Sequence, residues 1–251
     1  MGSTVCQAVN DDPELELVAA VDPYHAGIDL HQLGLQGTGL QIAAKADAFT
    51  ATGAEVAVDF TVLDAARENL RWCAEYGVHA VVGTTGFEPD DLIELRGLFA
   101  DSSANAFIAP NFAIGAVLMT RFAEIAAPFF KTAEIIELHH DQKVDAPSGT
   151  AMNTAERMAA ASAEWGDDPT TKVVLEGARG SEGPAGIRVH SVRMHGMVAH
   201  QEVILGTTGQ TLTIRHDTID RLSFMPGVLL AIKAVGDRPG LTVGLDDLLG
   251  I

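Results

Sequence analysis

Cysteine is scarce: Cys6 and Cys73 are the only two in 251 residues. So sparse a pair excludes a disulfide framework and reads as two buried thiols in a reducing cytoplasm. Basic residues are scarce as well. Sixteen Lys and Arg stand against 34 Asp and Glu, a formal net charge of −18. A field of that sign repels polyanions, so neither nucleic acid nor an anionic membrane surface is an expected partner. No apolar run approaches the ~18 residues that would cross a bilayer. The start has no basic stretch leading into an apolar one, so it reads as no secretory signal. Internal repeats, low-complexity tracts and charge runs are also missing.

What is present is a chain with 47% hydrophobic residues, enough to bury a sizeable core. STVCQAV (3–9) reads as a short amphipathic helix, stopped by Asn10-Asp11-Asp12-Pro13. LELVAAV (15–21), AEVAVDFT (54–61), HAVVGTTGF (79–87) and NAFIAPNFAIG (105–115) are apolar runs of the kind that form buried strands. Helical sequence separates them, through Tyr76 with Gly77 as a stop, and from Asp90 to Ala100. That rhythm predicts βαβ units and a parallel sheet. After Gly115 the texture changes. A helix over 116–130, a strand over 133–140 and a helix over 148–165 precede alternating strands at 186–194, 199–209 and 210–219. Thr208-Gly209 marks a hairpin, and 226–235 is an apolar helix.

A dinucleotide-binding βαβ unit needs a strand, a glycine turn and an acidic residue about 20 positions on. Asp22 supplies the acid at the end of the 15–21 run. Met1-Gly2-Ser3 reads as the tail of a glycine turn whose beginning, with the first strand, lies upstream. The expectation is therefore a nucleotide-binding domain with its first strand missing and weak affinity for the cofactor.

The densest chemistry lies in ELHHDQKVDAPSGTA (137–151). His139 and His140 close a strand, so one imidazole can face a cleft as proton donor while the other binds. Lys143 adds a cation, and Ser148-Gly149-Thr150 opens a helix whose first N–H groups form an anion site. An acidic chain with such a cluster suits a small dicarboxylate undergoing protonation. His139, His140, Asp141 and Asp145 lack recognisable zinc spacing, so a metal reading is set aside. His190, His195 and His200 recur every five residues, which reads as a strand pattern rather than a ligand set.

The 137–151 segment closely resembles the signature of the 4-hydroxy-tetrahydrodipicolinate reductase family, long called dihydrodipicolinate reductase. VVGTTGF (81–87), APNFAIG (109–115), GIRVHSVRMHGMVAHQEV (186–203) and LTIRHDTIDRLSFMPGVLLAI (212–232) are similar to further family segments. The resemblance implies His139 as general acid/base and Lys143 as second proton donor. It implies His140, Gly149 and Thr150 at the substrate carboxylates. On the cofactor side it implies Gly83, Thr84 and Thr85, then Ala109, Pro110, Asn111 and Phe112, with Asp22 on the ribose and Met1 ending the glycine loop. The cofactor it implies is NADH or NADPH, the substrate a small dicarboxylate and the assembly a homotetramer built through the second domain's sheet. The fold class expected is α/β. A Rossmann-like domain spans 1–110 and 220–251, and an α+β substrate and oligomerisation domain with a mainly antiparallel sheet spans 111–219. Two other functions fit the same plan: a non-catalytic dicarboxylate sensor and a related amino-acid dehydrogenase.

Overall fold

The computed structural model describes residues Met1–Ile251. The chain divides into two compact units, Met1–Phe112 with Phe224–Ile251, and Ala113–Ser223.

The first unit opens on helix α1 (Gly2–Asp11), which buries Val5 and Val9, followed much later by the short α2 (Asp47–Thr52). Strand β1 (Val56–Asp59), α3 (Leu63–Tyr76), β2 (His79–Val82), α4 (Pro89–Ala100) and β3 (Ala106–Ile108) then alternate. Gly77 ends α3 in the left-handed conformation, φ 73°, where a side chain would be strained. α4 starts on a capping box between Glu88 and Asp91, with Pro89 in its first turn.

The second unit begins with α5 (Ile114–Ala126), β4 (Thr132–His139) and α6 (Gly149–Ala161). β5 (Ser181–Glu182), β6 (Arg188–Arg193), β7 (Ala199–Thr207) and β8 (Gln210–Thr218) complete it. The chain then returns to the first unit through α7 (Met225–Val235), β9 (Leu241–Val243) and α8 (Asp246–Leu249).

In the first unit the strands form one parallel sheet in the order β1-β2-β3-β9. Register aligns Asp59, Val82, Ile108 and Val243, so all four strands end at one edge. β3 is buried along its whole length. Ala66, Leu70 and Cys73 of α3 and Leu95 and Phe99 of α4 pack on Ala57, Ala80, Val82, Ala106 and Ile108. Gly227 sits so close to the backbone that an added Cβ would lie 2.2 Å from the Phe112 carbonyl oxygen. Only glycine permits that approach.

The second unit's sheet runs β5-β6-β4-β7-β8, with β4 and β6 parallel and the other pairs antiparallel. β7 and β8 form the hairpin expected around Thr208-Gly209, with Gly209 at φ 76°. Ile135, Val189, Val203 and Leu205 face Ala123 of α5 and Ala151, Ala155 and Met158 of α6, and all are buried. The alanine stripe lets α6 lie close on the sheet. Each fully buried Ile, Leu or Met there contributes roughly 1.5–3 kcal/mol.

Four expectations need correction. LELVAAV is not a ladder strand. Val21 makes a single isolated bridge to Ala43, because no other strand runs beside it and the sheet's edge is β1. The helix expected over 148–165 stops at Ala161, because Ser162 turns to extended backbone and Trp165 folds back to donate to the Ser162 carbonyl at 2.9 Å. His195 lies in the turn after β6, not on a strand, and its side chain is exposed. Cys6 is only half-buried, whereas Cys73 is buried and its thiol is pushed up to about 12 by desolvation and then by Asp59. β9 was not foreseen at all.

Candidate functional site

Strand alternation builds the polar cluster of the second unit. Ala133, Ile135, Glu137 and His139 share the face of β4 that looks toward the helices. Ile135 is flanked by Val189 and Val203, an apolar row. One step on, Glu137 is flanked by Ser191 and Gln201, and His139 by Arg193 and Ala199. The core thus turns polar toward the end of the strand.

Glu137 is fully buried and is the hub. Arg193 clamps it with both terminal nitrogens, Nη2 to Oε1 at 2.8 Å and Nη1 to Oε2 at 2.9 Å. His139 Nδ1 lies 2.5 Å from Oε2, and the backbone N–H of Ser148 donates to Oε1 at 3.2 Å. Burial alone would raise this carboxyl, but hydrogen bonds from His139, Arg193 and Ser191 outweigh it and hold the group down to about 2. Arg193 also donates to the Asp145 carbonyl at 2.7 Å. Lys143 Nζ meets both oxygens of Asp145, at 2.7 and 2.8 Å, and that contact lowers the Asp145 carboxyl.

One contiguous network therefore runs from His139 through Glu137, Arg193 and Asp145 to Lys143, with a branch from Glu137 to the start of α6. Ser148 caps that helix, its Oγ accepting from the Ala151 N–H at 3.2 Å. Gly149 opens it, and a Cβ there would meet nothing within 4 Å, so the first turn borders open space. Thr150 follows, its carbonyl accepting from Thr154 Oγ1 at 2.8 Å. Thr154 in turn meets Thr120 and receives Gln201 Nε2, both at 2.9 Å, tying α6 to α5 and β7. His140 lies just beyond the end of β4 and is exposed.

Seven of the expected residues of the first unit gather at the carboxyl edge of its sheet, and Met1 and Asp22 lie outside its strands. Gly83, Thr84 and Thr85 follow β2, and Ala109, Pro110, Asn111 and Phe112 follow β3. Gly83 donates to the Asp59 carbonyl at 2.8 Å, and Ala109 to the Val82 carbonyl at 3.0 Å. A Cβ on Gly83 would lie 2.1 Å from the Phe60 ring, so that ring rests directly on the loop backbone. Phe60 also meets the Phe112 ring at 5.8 Å. Thr84 is buried and donates to the Thr61 carbonyl at 2.9 Å, whereas Thr85 is exposed. Met1 precedes α1 without capping it through a side chain. Asp22 accepts from the Tyr24 N–H and meets His25 Nδ1, each at 2.8 Å. In an open parallel sheet the crevice beyond the carboxyl ends of the strands is where ligands bind.

Glu137 and Arg193 escaped the reading of the sequence. A usable signal existed for Glu137: an acid on the inward face of an alternating strand, two residues before a histidine, demands a buried cation. Arg193 had none, since its place beside Glu137 depends on the β4–β6 pairing.

The family model described as "Dihydrodipicolinate reductase, N-terminus" matches residues 1–112, and that described as "Dihydrodipicolinate reductase, C-terminus" matches 115–249. The 4-hydroxy-tetrahydrodipicolinate reductase of Nocardia farcinica is 53% identical over 255 residues, covering all of this chain and 95% of the relative. That of Cutibacterium acnes is 50% identical with the same coverage. A solved dipicolinate-bound dihydrodipicolinate reductase from Paenisporosarcina sp. TG-14 superposes with a TM-score of 0.83. It is 38% identical and covers 98% of this chain and 94% of that one.

Proposed function

This chain belongs to the dihydrodipicolinate reductase family, and from that membership we propose that it reduces 4-hydroxy-tetrahydrodipicolinate to tetrahydrodipicolinate with NADH or NADPH, in the diaminopimelate branch of lysine biosynthesis. The observation that carries the reading is the single network that links an imidazole, an ammonium group and the opening turn of α6. A doubly negative ring needs cationic and N–H partners for its carboxylates and an acid for its carbon. This segment provides them within a chain of net charge −18.

The roles divide as follows. His140 and the backbone of Gly149 and Thr150 hold a substrate carboxylate, the open first turn of α6 offering N–H groups and the positive end of the helix dipole. The cofactor supplies a hydride to C4 of the ring. His139 delivers a proton to C3 of the resulting enamine, and Lys143 assists as a second donor. The C4 hydroxyl leaves first, as water, with a hydrogen from the neighbouring ring carbon, which opens C4 to the hydride, so one hydride and one proton enter for each water released.

The carboxyl edge of the first unit fits a dinucleotide. Gly83 brings bare backbone to the edge, Phe60 and Phe112 form an apolar floor, and α1 opens with no side chain on its first N–H groups. Gly83, Thr84, Thr85 and Ala109–Phe112 then line the nicotinamide end. Met1 faces the pyrophosphate and Asp22 the ribose.

No helix is long and apolar enough to cross a membrane, and the reductase works in the cytoplasm as a homotetramer. The face of the second unit's sheet turned away from α5 and α6 carries half-buried Ile136, Leu138, Val192 and Ile204. Ion pairs flank them, Glu134 with Arg179 and His190 on one side and Arg215 with Glu202 and Asp217 on the other. An apolar centre with a charged rim supports association of copies through this face. Sedimentation tests it, and a monomer at micromolar concentration overturns it.

The activity is tested by loss of reduced-nicotinamide absorbance with freshly generated substrate. The expected result is substrate-dependent oxidation that dipicolinate inhibits competitively. No oxidation of either NADH or NADPH overturns the assignment.

A further inference from the structure

The buried acid beneath the proton donor has no role in the scheme above. We propose that Glu137 is a positioning residue: clamped in place by Arg193, it holds His139 with the proton on Nδ1, so that Nε2 is the nitrogen that delivers the proton. The inference rests on the reading of His139 as donor and adds the atom and the residue that orients it.

The geometry leaves little freedom. Oε2 of Glu137 takes Arg193 Nη1 and His139 Nδ1, and Oε1 takes Arg193 Nη2 and the Ser148 N–H. These four contacts, with Ser191 as a further donor, leave an ionised carboxylate little spare capacity. The two-pronged Arg193 contact sets the plane of the group, so it cannot turn away from the imidazole. An ionised carboxylate only accepts, so the hydrogen between it and His139 belongs to Nδ1. Nε2 is then a bare lone pair in the neutral ring and an N–H donor in the imidazolium. Either way the working nitrogen is the one directed away from the buried acid.

The remaining neighbours do not compete for that hydrogen. Ser191 and Gln201, beside Glu137 on β6 and β7, are uncharged. Arg193 is the cation facing Glu137 from β6, and Lys143 is engaged by Asp145 in the loop. Because the same carboxylate also takes the Ser148 N–H, it fixes the donor and the first turn of α6 against one anchor. Proton source and carboxylate site are held in register by one buried group.

The full-length protein labelled with 15N-histidine tests this directly. Long-range 15N–1H spectra above the titration range of the ring, with His139 assigned from its loss in His139→Gln, report the tautomer without any turnover. The expected result is protonated Nδ1 and bare Nε2. A wild-type His139 with its proton on Nε2 overturns the proposal, and this arm stands even if no variant folds. In the kinetic arm, Glu137→Gln lowers kcat about 10²-fold while the inhibition constant of dipicolinate moves by less than about threefold. The mutant ring also acquires a population protonated on Nε2. Unchanged kcat in a folded Glu137→Gln protein sinks the idea. A wild-type enzyme that oxidises no nicotinamide defeats the reductase assignment instead, and leaves the tautomer measurement to decide this one.

Discussion

The two units solve recognition with different materials. In the first, the parallel strands are short and β3 is buried throughout. At the carboxyl edge of its sheet Gly83 lies bare against the Phe60 ring, and elsewhere in the unit α1 opens without a side-chain cap. In the second, β4, β7 and β8 are eight or nine residues long and alternate faces. Its polar cluster is built from side chains of β4, β6 and the loop before α6, gathered around the buried Glu137 carboxylate. A nucleotide with many phosphate and ribose oxygens can be read by repeated backbone donors. A proton delivered to one carbon demands a single side chain held in place. The difference predicts that mutations in the β4 network act on rate and on the second unit's own stability, whereas mutations at the first unit's strand edge act on cofactor binding and on that unit's stability.

The sharpest test of that division is His139→Gln. It removes the acid and keeps a polar side chain of similar reach, so kcat should fall by ~10²–10⁴-fold. KM should change little, because the proposed carboxylate site at α6 is left intact. Steady-state kinetics decide. A raised KM with kcat preserved would make His139 a binding residue and erase the contrast.

Next in size is Arg193→Met. It strands a buried carboxylate whose cationic partner is Arg193, leaving it the His139 ring and the Ser148 N–H. Leaving a buried charge without its main partner costs about 3–5 kcal/mol. The molecule offers a clean readout, because each unit holds one of the two tryptophans, Trp72 in α3 and Trp165 after α6. With Trp72→Phe as background, the urea midpoint of Trp165 fluorescence should drop. With Trp165→Phe as background, the Trp72 transition should hardly move. Equal shifts in both would mean the units unfold as one body.

These residues also show what could be read from the chain and what could not. His139, Lys143 and Gly149 could be grouped from the chain alone because they are neighbours in sequence and their residue types suggest a shared chemistry. The helices α3 and α4 were legible from the Gly77 stop and from the helical sequence between Asp90 and Ala100. Arg193 was not, because it meets Glu137 only through the pairing of β4 with β6, far along the chain. β9 was missed because three residues between Gly240 and Gly244 are too short for a period to show. LELVAAV misled for the opposite reason. Apolar content marks a segment as fit for pairing, but a strand exists only where a partner runs beside it, and Val21 has one bridge.

The acid limb of stability extends the contrast. The Glu137 carboxyl sits at about 2 in the folded protein against an ordinary value of 4.5. A depressed value means the stabilisation is complete above the ordinary carboxylate range and disappears as pH falls from about 4.5 toward 2. The shift corresponds to on the order of 3 kcal/mol. The Trp165 transition should weaken across that window, and Glu137→Gln should flatten the dependence. A Trp165 transition as stable at pH 2.5 as at pH 5 would contradict the buried clamp. On the other side of the comparison, Gly227→Ala places a methyl 2.2 Å from the Phe112 carbonyl oxygen. Backbone cannot yield as a side chain can, so the first unit should lose about 1–3 kcal/mol, read from Trp72, with the Trp165 transition unchanged.

The smallest expected effect sets two arginine–carboxylate pairs side by side. Arg71 and Glu94 join α3 to α4 in the first unit at 2.8 Å, with both side chains about half exposed, 52% and 55%. Arg193 and Glu137 make the same chemical contact at the same 2.8 Å, but the carboxylate is at 0% exposure. Water and salt screen the first pair, and each long side chain gives up rotamer freedom to hold it, so its net value is about 0–1 kcal/mol. Arg71→Gln should therefore shift the Trp72 urea midpoint by no more than that, and the shift should shrink further in about 1 M salt. The shortest distance is the same in the two pairs, but the second is buried, grips both carboxylate oxygens and shares them with His139 and the Ser148 N–H, so burial and the number of partners separate them. A loss at Arg71 as large as the loss at Arg193 would show that the close contact alone, and not removal from water with its added partners, sets the worth of these bridges.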